Sequence, residues 1–180
     1  SRPILRRMTE ARGFCEGTGA GELGQGRLGG REVLLAQTGA GPRVAGEAAA
    51  EIFERRRPAR WIGAGFAGAL SPELPFGCIA IVAVSDPEMA RRALASDPDA
   101  REAAAVPSGR IVGSAAEKAR LLAAYIGGGR GGGALPAIVD MESAAWSSSA
   151  AARRIPGILV RVVSDTASDE IPDFVAESVL

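Results

Sequence analysis

The apolar positions of this chain fall into short runs separated by glycine- and proline-rich breaks. Cys78 to Val84 reads Cys-Ile-Ala-Ile-Val-Ala-Val, with no polar residue, which suits a strand covered on both faces. Ala137-Ile138-Val139 and Ile158-Leu159-Val160-Arg161-Val162-Val163 predict two more buried strands. Trp61 to Gly65 predicts a short strand running into a glycine-lined turn. Gln25 to Leu28 and Glu32 to Gln37 flank Gly29-Gly30, the signature of a hairpin. Pro3 to Met8, spoiled by Arg6-Arg7, and Arg110 to Gly113 are weaker strand candidates.

Helical spacing appears between these runs. Val44, Ala48 and Ile52 share one face of a helix from Pro42 to about Arg57, and proline suits its first turn. Met89 to Leu94 is a helical stretch, and Asp97-Pro98-Asp99 after it is loop chemistry. Ser114-Ala115-Ala116-Glu117 is a capping box opening a helix to about Ile126. Gly127 to Gly133 is low in complexity. Two further helices are expected, from Met141 to Arg154 and near Asp173. Strands alternating with helices predict one domain over 1–180, a three-layer α/β/α sandwich around a central mixed, mostly parallel sheet.

The two strands that end in acids carry the chemistry. One delivers Asp140, Met141 and Glu142 to its C-terminal end, and the other delivers Ser164 and Asp165. Ligands of open α/β sheets bind at such ends, so both are expected to face one pocket. Capping is the ordinary role of an acid at a helix start and applies to each of them. Arg161, inside an apolar run, needs a partner, and Glu142 or Glu10 is the expected one.

Composition narrows the possibilities. A formal net charge of zero over 180 residues argues against a nucleic-acid partner. No apolar run reaches the ~18 residues of a spanning helix, and no leader pattern is visible, so a cytoplasmic protein is expected. Cys15 and Cys78 form no framework and are expected to be reduced thiols. Histidine is absent, which removes Ser-His and Cys-His nucleophiles and His-rich metal sites. Acid–base work falls to Asp, Glu or Tyr125, with no metal or cofactor expected.

Two glycine motifs remain. Gly39-x-Gly41 before a helix places amides where an anion can sit, with Arg43 beside them, and is equally a plain turn. Gly63-Ala-Gly-Phe-Ala-Gly68 has the spacing of a dinucleotide fingerprint, but Ser71-Pro72 and Pro75 follow it where a helix is required. These glycines therefore let a backbone approach a ligand or a neighbouring strand closely.

Taken together, Val-Asp-Met-Glu-Ser-Ala-Ala, Val-Arg-Val-Val-Ser-Asp, Gly65-Phe66-Ala67-Gly68-Ala69-Leu70 and Thr38-Gly39-Ala40-Gly41 resemble the purine nucleoside phosphorylase and nucleosidase superfamily. Ser-Ala-Ala-Glu-Lys is closest to the hopanoid-associated phosphorylase group, with methylthioadenosine/S-adenosylhomocysteine nucleosidases and futalosine hydrolases as near relatives. The resemblance implies that Met141 packs on a ribose and Glu142 binds its hydroxyls. It implies that Asp165 protonates the purine imidazole nitrogen, with Ser164 beside it at the base. Arg161 organises the carboxylates, Gly65, Ala67 and Gly68 support the site, and Glu10 activates water. A homo-oligomer and a purine nucleoside as small-molecule partner are also implied.

The chemistry is coherent. Breaking an N-glycosidic bond builds oxocarbenium character on the ribose. The purine leaves poorly unless protonated, so Asp165 must carry a proton when it acts. Glu10 must be ionised as base. The phosphorylases' phosphate-binding arginine and serine positions are here Gly63 and Phe66, which favours water over phosphate. The base-stacking aromatic expected before the Met-Glu strand is replaced by the glycine tract, leaving Phe66 as the candidate for stacking. The family's closing helix is expected to be shortened. Phosphorolysis and a non-catalytic nucleoside-binding protein are the alternatives.

Overall fold

A computed structural model describes residues 4, 6–16, 22–128 and 135–172. Three antiparallel strands form one sheet: β1 (Thr9–Glu16), β2 (Glu22–Leu28) and β3 (Arg31–Ala36). The Gly29-Gly30 hairpin joins β2 to β3, and both glycines have positive φ, the conformation such a turn demands. The first strand begins at Thr9 and not at Pro3, because Arg6 and Arg7 lie in a turn; Pro3 and Leu5 are outside the described residues. The helix expected near Asp173 also lies outside them.

Six strands form the second sheet: β4 (Trp61–Ala69), β5 (Ile79–Ala83), β6 (Arg101–Glu102), β7 (Ala104–Pro107), β8 (Ala137–Asp140) and β9 (Gly157–Asp165). Their spatial order is β6-β5-β9-β4-β8-β7. The β4–β9, β5–β6 and β7–β8 pairs are parallel, whereas β4–β8 and β5–β9 are antiparallel. The expected mixed, mostly parallel sheet is present.

Among the described residues, the helices α1 (Pro42–Arg56), α2 (Pro87–Ser96), α3 (Ala115–Gly127) and α4 (Ser143–Ala152) cover it. Alternation along β9 separates the layers. Leu159 packs with Ile52 and Phe53 of α1, Ala150 of α4, and the Trp61–Trp146 stack. Its neighbour Ile158 packs on the opposite face, against Ala90 of α2. Val106, Ala137 and Val139 meet Leu121, Leu122 and Tyr125 of α3. Both faces of the sheet are thus covered along β8 and most of β9, which is why these strands read as nearly unbroken apolar runs, whereas Ile62 and Phe66 of β4 are exposed.

Three local expectations are corrected. Gly63 to Gly68 lies inside the nine-residue strand β4, not in a turn after a short strand. Arg110 to Gly113 is coil, while β6 and β7 occupy a stretch where the pattern signals no strand. Strands of two and four residues are too short to establish a period. The helix expected from Met141 begins two residues later, at Ser143.

The capping box at α3 is formed as expected. The Glu117 amide donates to Ser114 Oγ at 3.2 Å, and Glu117 Oε2 accepts from the Ser114 amide at 3.4 Å. Arg110 also binds Glu117 and is the main reason its carboxyl is held below the usual carboxylate range.

Candidate active site

The site is organised about Gly68. This residue is flanked by Val139 of β8 on one side and Asp165 of β9 on the other. A Cβ at position 68 would stand 2.7 Å from Asp165 Oδ2 and 3.3 Å from Val139 Cγ1. Only glycine lets the carboxylate lie against this strand. The β4–β9 register skips Ser164, and this irregularity sends Ser164 outward, where its hydroxyl donates to Asp165 Oδ1 at 2.8 Å. Bulges that re-aim a side chain recur beside functional sites. If Asp165 acts on a substrate, Gly68→Ala lowers turnover at least about 10²-fold by displacing its carboxylate by about 1 Å, while thermal unfolding stays cooperative. Wild-type kinetics in this variant would disprove the packing argument.

The acid-bearing strand ends do not point the same way. β9 runs parallel to β4 and β8 runs antiparallel to it, so the two C-terminal ends face in opposite directions. Both ends nevertheless lie beside β4, because β8 has only four residues and Val139 is level with Gly68.

Below Gly68 lies a buried polar network. Arg161 Nε donates to Asp140 Oδ2 at 2.6 Å, Nη1 to the Gly63 carbonyl at 2.8 Å and Nη2 to Ser143 Oγ at 3.0 Å. Asp140 also accepts from the Ser143 hydroxyl and, at 3.0 Å, from the Ser143 amide, which caps α4. The partner of Arg161 is therefore Asp140, not Glu142 or Glu10 as the spacing suggests. A Cβ on Gly65 would meet Arg161 Nη1 at 3.2 Å, and one on Gly63 would meet Leu159 and Trp61 at 2.8 and 2.9 Å. Gly65 thus leaves room for the guanidinium, and the packing at Gly63 leaves no room for a side chain.

With Asp140 committed to Arg161, Glu142 is available. It sits half-buried at the start of α4 without capping it, and Oε1 accepts from the Gly41 amide at 2.8 Å. The Gly39-x-Gly41 loop is thereby joined to the Met-Glu motif, and this Gly41 donor is directed at Glu142. Gly41 has φ 95°, a conformation that favours glycine. Arg43 pairs with Glu47 on the exposed face of α1 at 2.9 Å. Met141 is half-buried, and Phe66 stands 71% exposed on the same strand as Gly68.

Glu10 lies on β1, in the separate three-stranded sheet, and is exposed. No hydrogen bond or ion pair among the described residues links it to Glu142, Arg161 or Asp165. Its φ of 55° is unusual for a side-chain-bearing residue and falls where the β1–β2 register is irregular. Among the described residues, no group of three or more Cys, Asp or Glu side chains could hold a metal.

One neighbour of Asp165 escapes sequence reasoning. Lys118 of α3 is fully buried, with Nζ 2.7 Å from Asp165 Oδ2. In the sequence it looks like an ordinary lysine of a capped surface helix. Two signals single it out: it is the only lysine in the chain, and it ends the Ser-Ala-Ala-Glu-Lys motif. A cleft of about 730 Å³ opens beyond it, between α3 and the Leu70–Pro75 segment. The cleft reaches Thr166 to Ser168 but includes none of Met141, Glu142 or Phe66, so it adjoins the site without being its floor.

No protein-family model matches the chain, and no curated protein matches it significantly. Solved structures do. A methylthioadenosine/S-adenosylhomocysteine nucleosidase from Streptococcus pneumoniae, bound to a transition-state inhibitor, is 17% identical with TM-score 0.81, over 99% of this chain and 86% of that one. The corresponding enzyme from Neisseria meningitidis, with methylthio-immucillin-A, is 21% identical with TM-score 0.79, again over 99% and 86%. A futalosine hydrolase mutant from Helicobacter pylori is 14% identical with TM-score 0.72, over 91% of this chain and 83% of that one. The chain has the fold of these nucleosidases.

Proposed function

We propose that this protein hydrolyses the N-glycosidic bond of a purine nucleoside or nucleoside adduct. The observation that carries the reading is the Asp165 carboxylate, lodged against Gly68 beside Val139, with Met141 and Glu142 emerging from the same strand pair. Asp165 delivers a proton to the departing purine, and Glu142 grips ribose hydroxyls whose hydrogen bonds strengthen as positive charge develops. Ser164 and Phe66 face the base, and Met141 lies against the sugar. Glu10 is the base for water in this reading, supported by its place in the motif pattern and its unusual backbone, a feature that clusters at functional sites. A cytoplasmic homo-oligomer belongs to the same reading.

Water is favoured over phosphate by the shape of β4. An arginine at position 63 is excluded by the packing of Trp61 and Leu159, Phe66 offers no hydrogen bond, and Arg43 is paired with Glu47. The test incubates the protein with adenosine, methylthioadenosine and S-adenosylhomocysteine, with and without phosphate, and measures free base. Release of adenine and free ribose without phosphate is the expected outcome. Release only with phosphate identifies a phosphorylase. No release from any of these, with a thermal shift on adding adenine, would overturn the enzymatic reading in favour of a binding protein.

A further inference from the structure

We propose that Lys118 is a positioning residue for Asp165, fixing which carboxyl oxygen faces the purine; this rests on the function proposed above. The ammonium is wholly buried on the second turn of α3. A buried cation is costly unless paired, and an apolar side chain of similar volume would fill the space at less cost. Its surroundings are specific. Nζ donates to the Thr166 carbonyl at 2.6 Å and the Asp169 carbonyl at 3.0 Å, and stands 2.7 Å from Asp165 Oδ2.

The other acids nearby are turned elsewhere. The Asp169 carboxylate accepts from the Thr166 amide at 2.8 Å, which is the main cause of its carboxyl lying below the usual range. Glu117 is bound to Arg110, and Glu170 accepts from the Ala115 amide at 3.1 Å. The ammonium adds a smaller lowering at Asp169, and Asp165 is the carboxylate in ion-pair contact with it among the described residues.

The consequence is geometric. Oδ2 is buried between the Lys118 ammonium and Gly68, and the ammonium is its polar neighbour. Oδ1 carries the Ser164 hydroxyl contact on the outer side. Lys118 therefore makes Oδ1 the oxygen that carries the proton to the leaving group. As the C–N bond breaks, its electron pair stays with the purine, the Oδ1 proton moves to the purine nitrogen, and the carboxylate left behind lies against the ammonium. By holding Thr166 and Asp169 as well, Lys118 ties α3 to the end of β9 and so orients the acid.

The test compares wild type, Lys118→Met, Asp165→Asn and the double variant on two substrates. One is the purine nucleoside that the wild type cleaves best. The other is p-nitrophenyl riboside, whose phenolate leaves without a proton. Lys118→Met is expected to lower kcat on the purine nucleoside about 10²-fold with KM within about 2-fold, as a displaced catalytic group does. Nitrophenolate release should change less than about 2-fold, and Lys118→Met should add no further loss to Asp165→Asn, as for residues acting as a unit. Equal losses on both substrates, or losses that add in the double variant, would overturn the inference alone. Wild-type protein that releases neither purine nor nitrophenolate overturns the proposed function and this inference with it. Should Lys118→Met fail to fold, Lys118→Gln, which retains donors for the two carbonyls, carries the same comparison.

Discussion

Asp165→Asn is expected to slow release of purine base about 10²- to 10⁴-fold, the usual worth of a positioned general acid. Asparagine preserves the shape of the side chain beside Gly68 but has no carboxyl proton to give. Cleavage of p-nitrophenyl riboside should survive, because that leaving group needs none. The substitution also leaves the Lys118 ammonium buried with two carbonyls and no anion, so thermal stability should fall as well. Kinetics are therefore compared well below both melting temperatures. Full turnover of the purine nucleoside by Asp165→Asn would remove Asp165 from the mechanism.

Asp140→Ala should destabilise the fold by about 3–5 kcal/mol, the cost of leaving a buried charge without its partner. Both Arg161 and Asp140 are buried, so solvent does little to screen their pairing. Alanine strands the Arg161 guanidinium and removes the acceptor that caps α4. For a chain of this size the melting temperature should drop by about 6–20 °C. Replacing the pair together, Asp140→Leu with Arg161→Met, should recover much of that loss. Urea unfolding of the three proteins measures it. A single variant within about 0.5 kcal/mol of wild type, the range of ordinary surface changes, would mean that the network is not structural.

Asp140 and Asp165 look alike in the sequence, as acids that end buried strands, and so do Asp140 and Glu142. Asp140 and Glu142 are two residues apart at a strand-to-helix junction, where spacing does not determine direction. That Arg161 needs an anion follows from its apolar surroundings and was legible. Which anion it meets depends on β8 lying beside β4, a tertiary fact. The pattern predicts the acids at one mouth of the sheet; they end strands of opposed direction instead, since an apolar run carries no record of its direction.

The glycines of β4 show the same limit. Glycine is poor in strands, so Gly63, Gly65 and Gly68 read as a turn. In the folded protein each is required by a neighbour: Leu159 and Trp61 at Gly63, Arg161 at Gly65, Asp165 at Gly68. Those neighbours lie on another strand, or, for Trp61, two positions back on the same one. Close approach as the reason for the glycines was legible, but what approaches was not. Lys118 was hidden more completely, because a capped helix start gives no sign that its fourth residue is buried.

By itself, the sequence determined the alternation of strands and helices, the capped start of α3, the hairpin at Gly29-Gly30 and an acid–base chemistry confined to carboxylates. These are properties of local runs, set by hydrophobic periodicity, turn conformation and residue inventory. Tertiary structure alone decided that Asp140 serves Arg161, that Glu142 holds the Gly41 loop, and that Asp165 lies between Gly68 and a buried lysine. Each of these is a pairing between charges or amides far apart in the chain, and only the packing of the sheet and its helices brings them within hydrogen-bond reach.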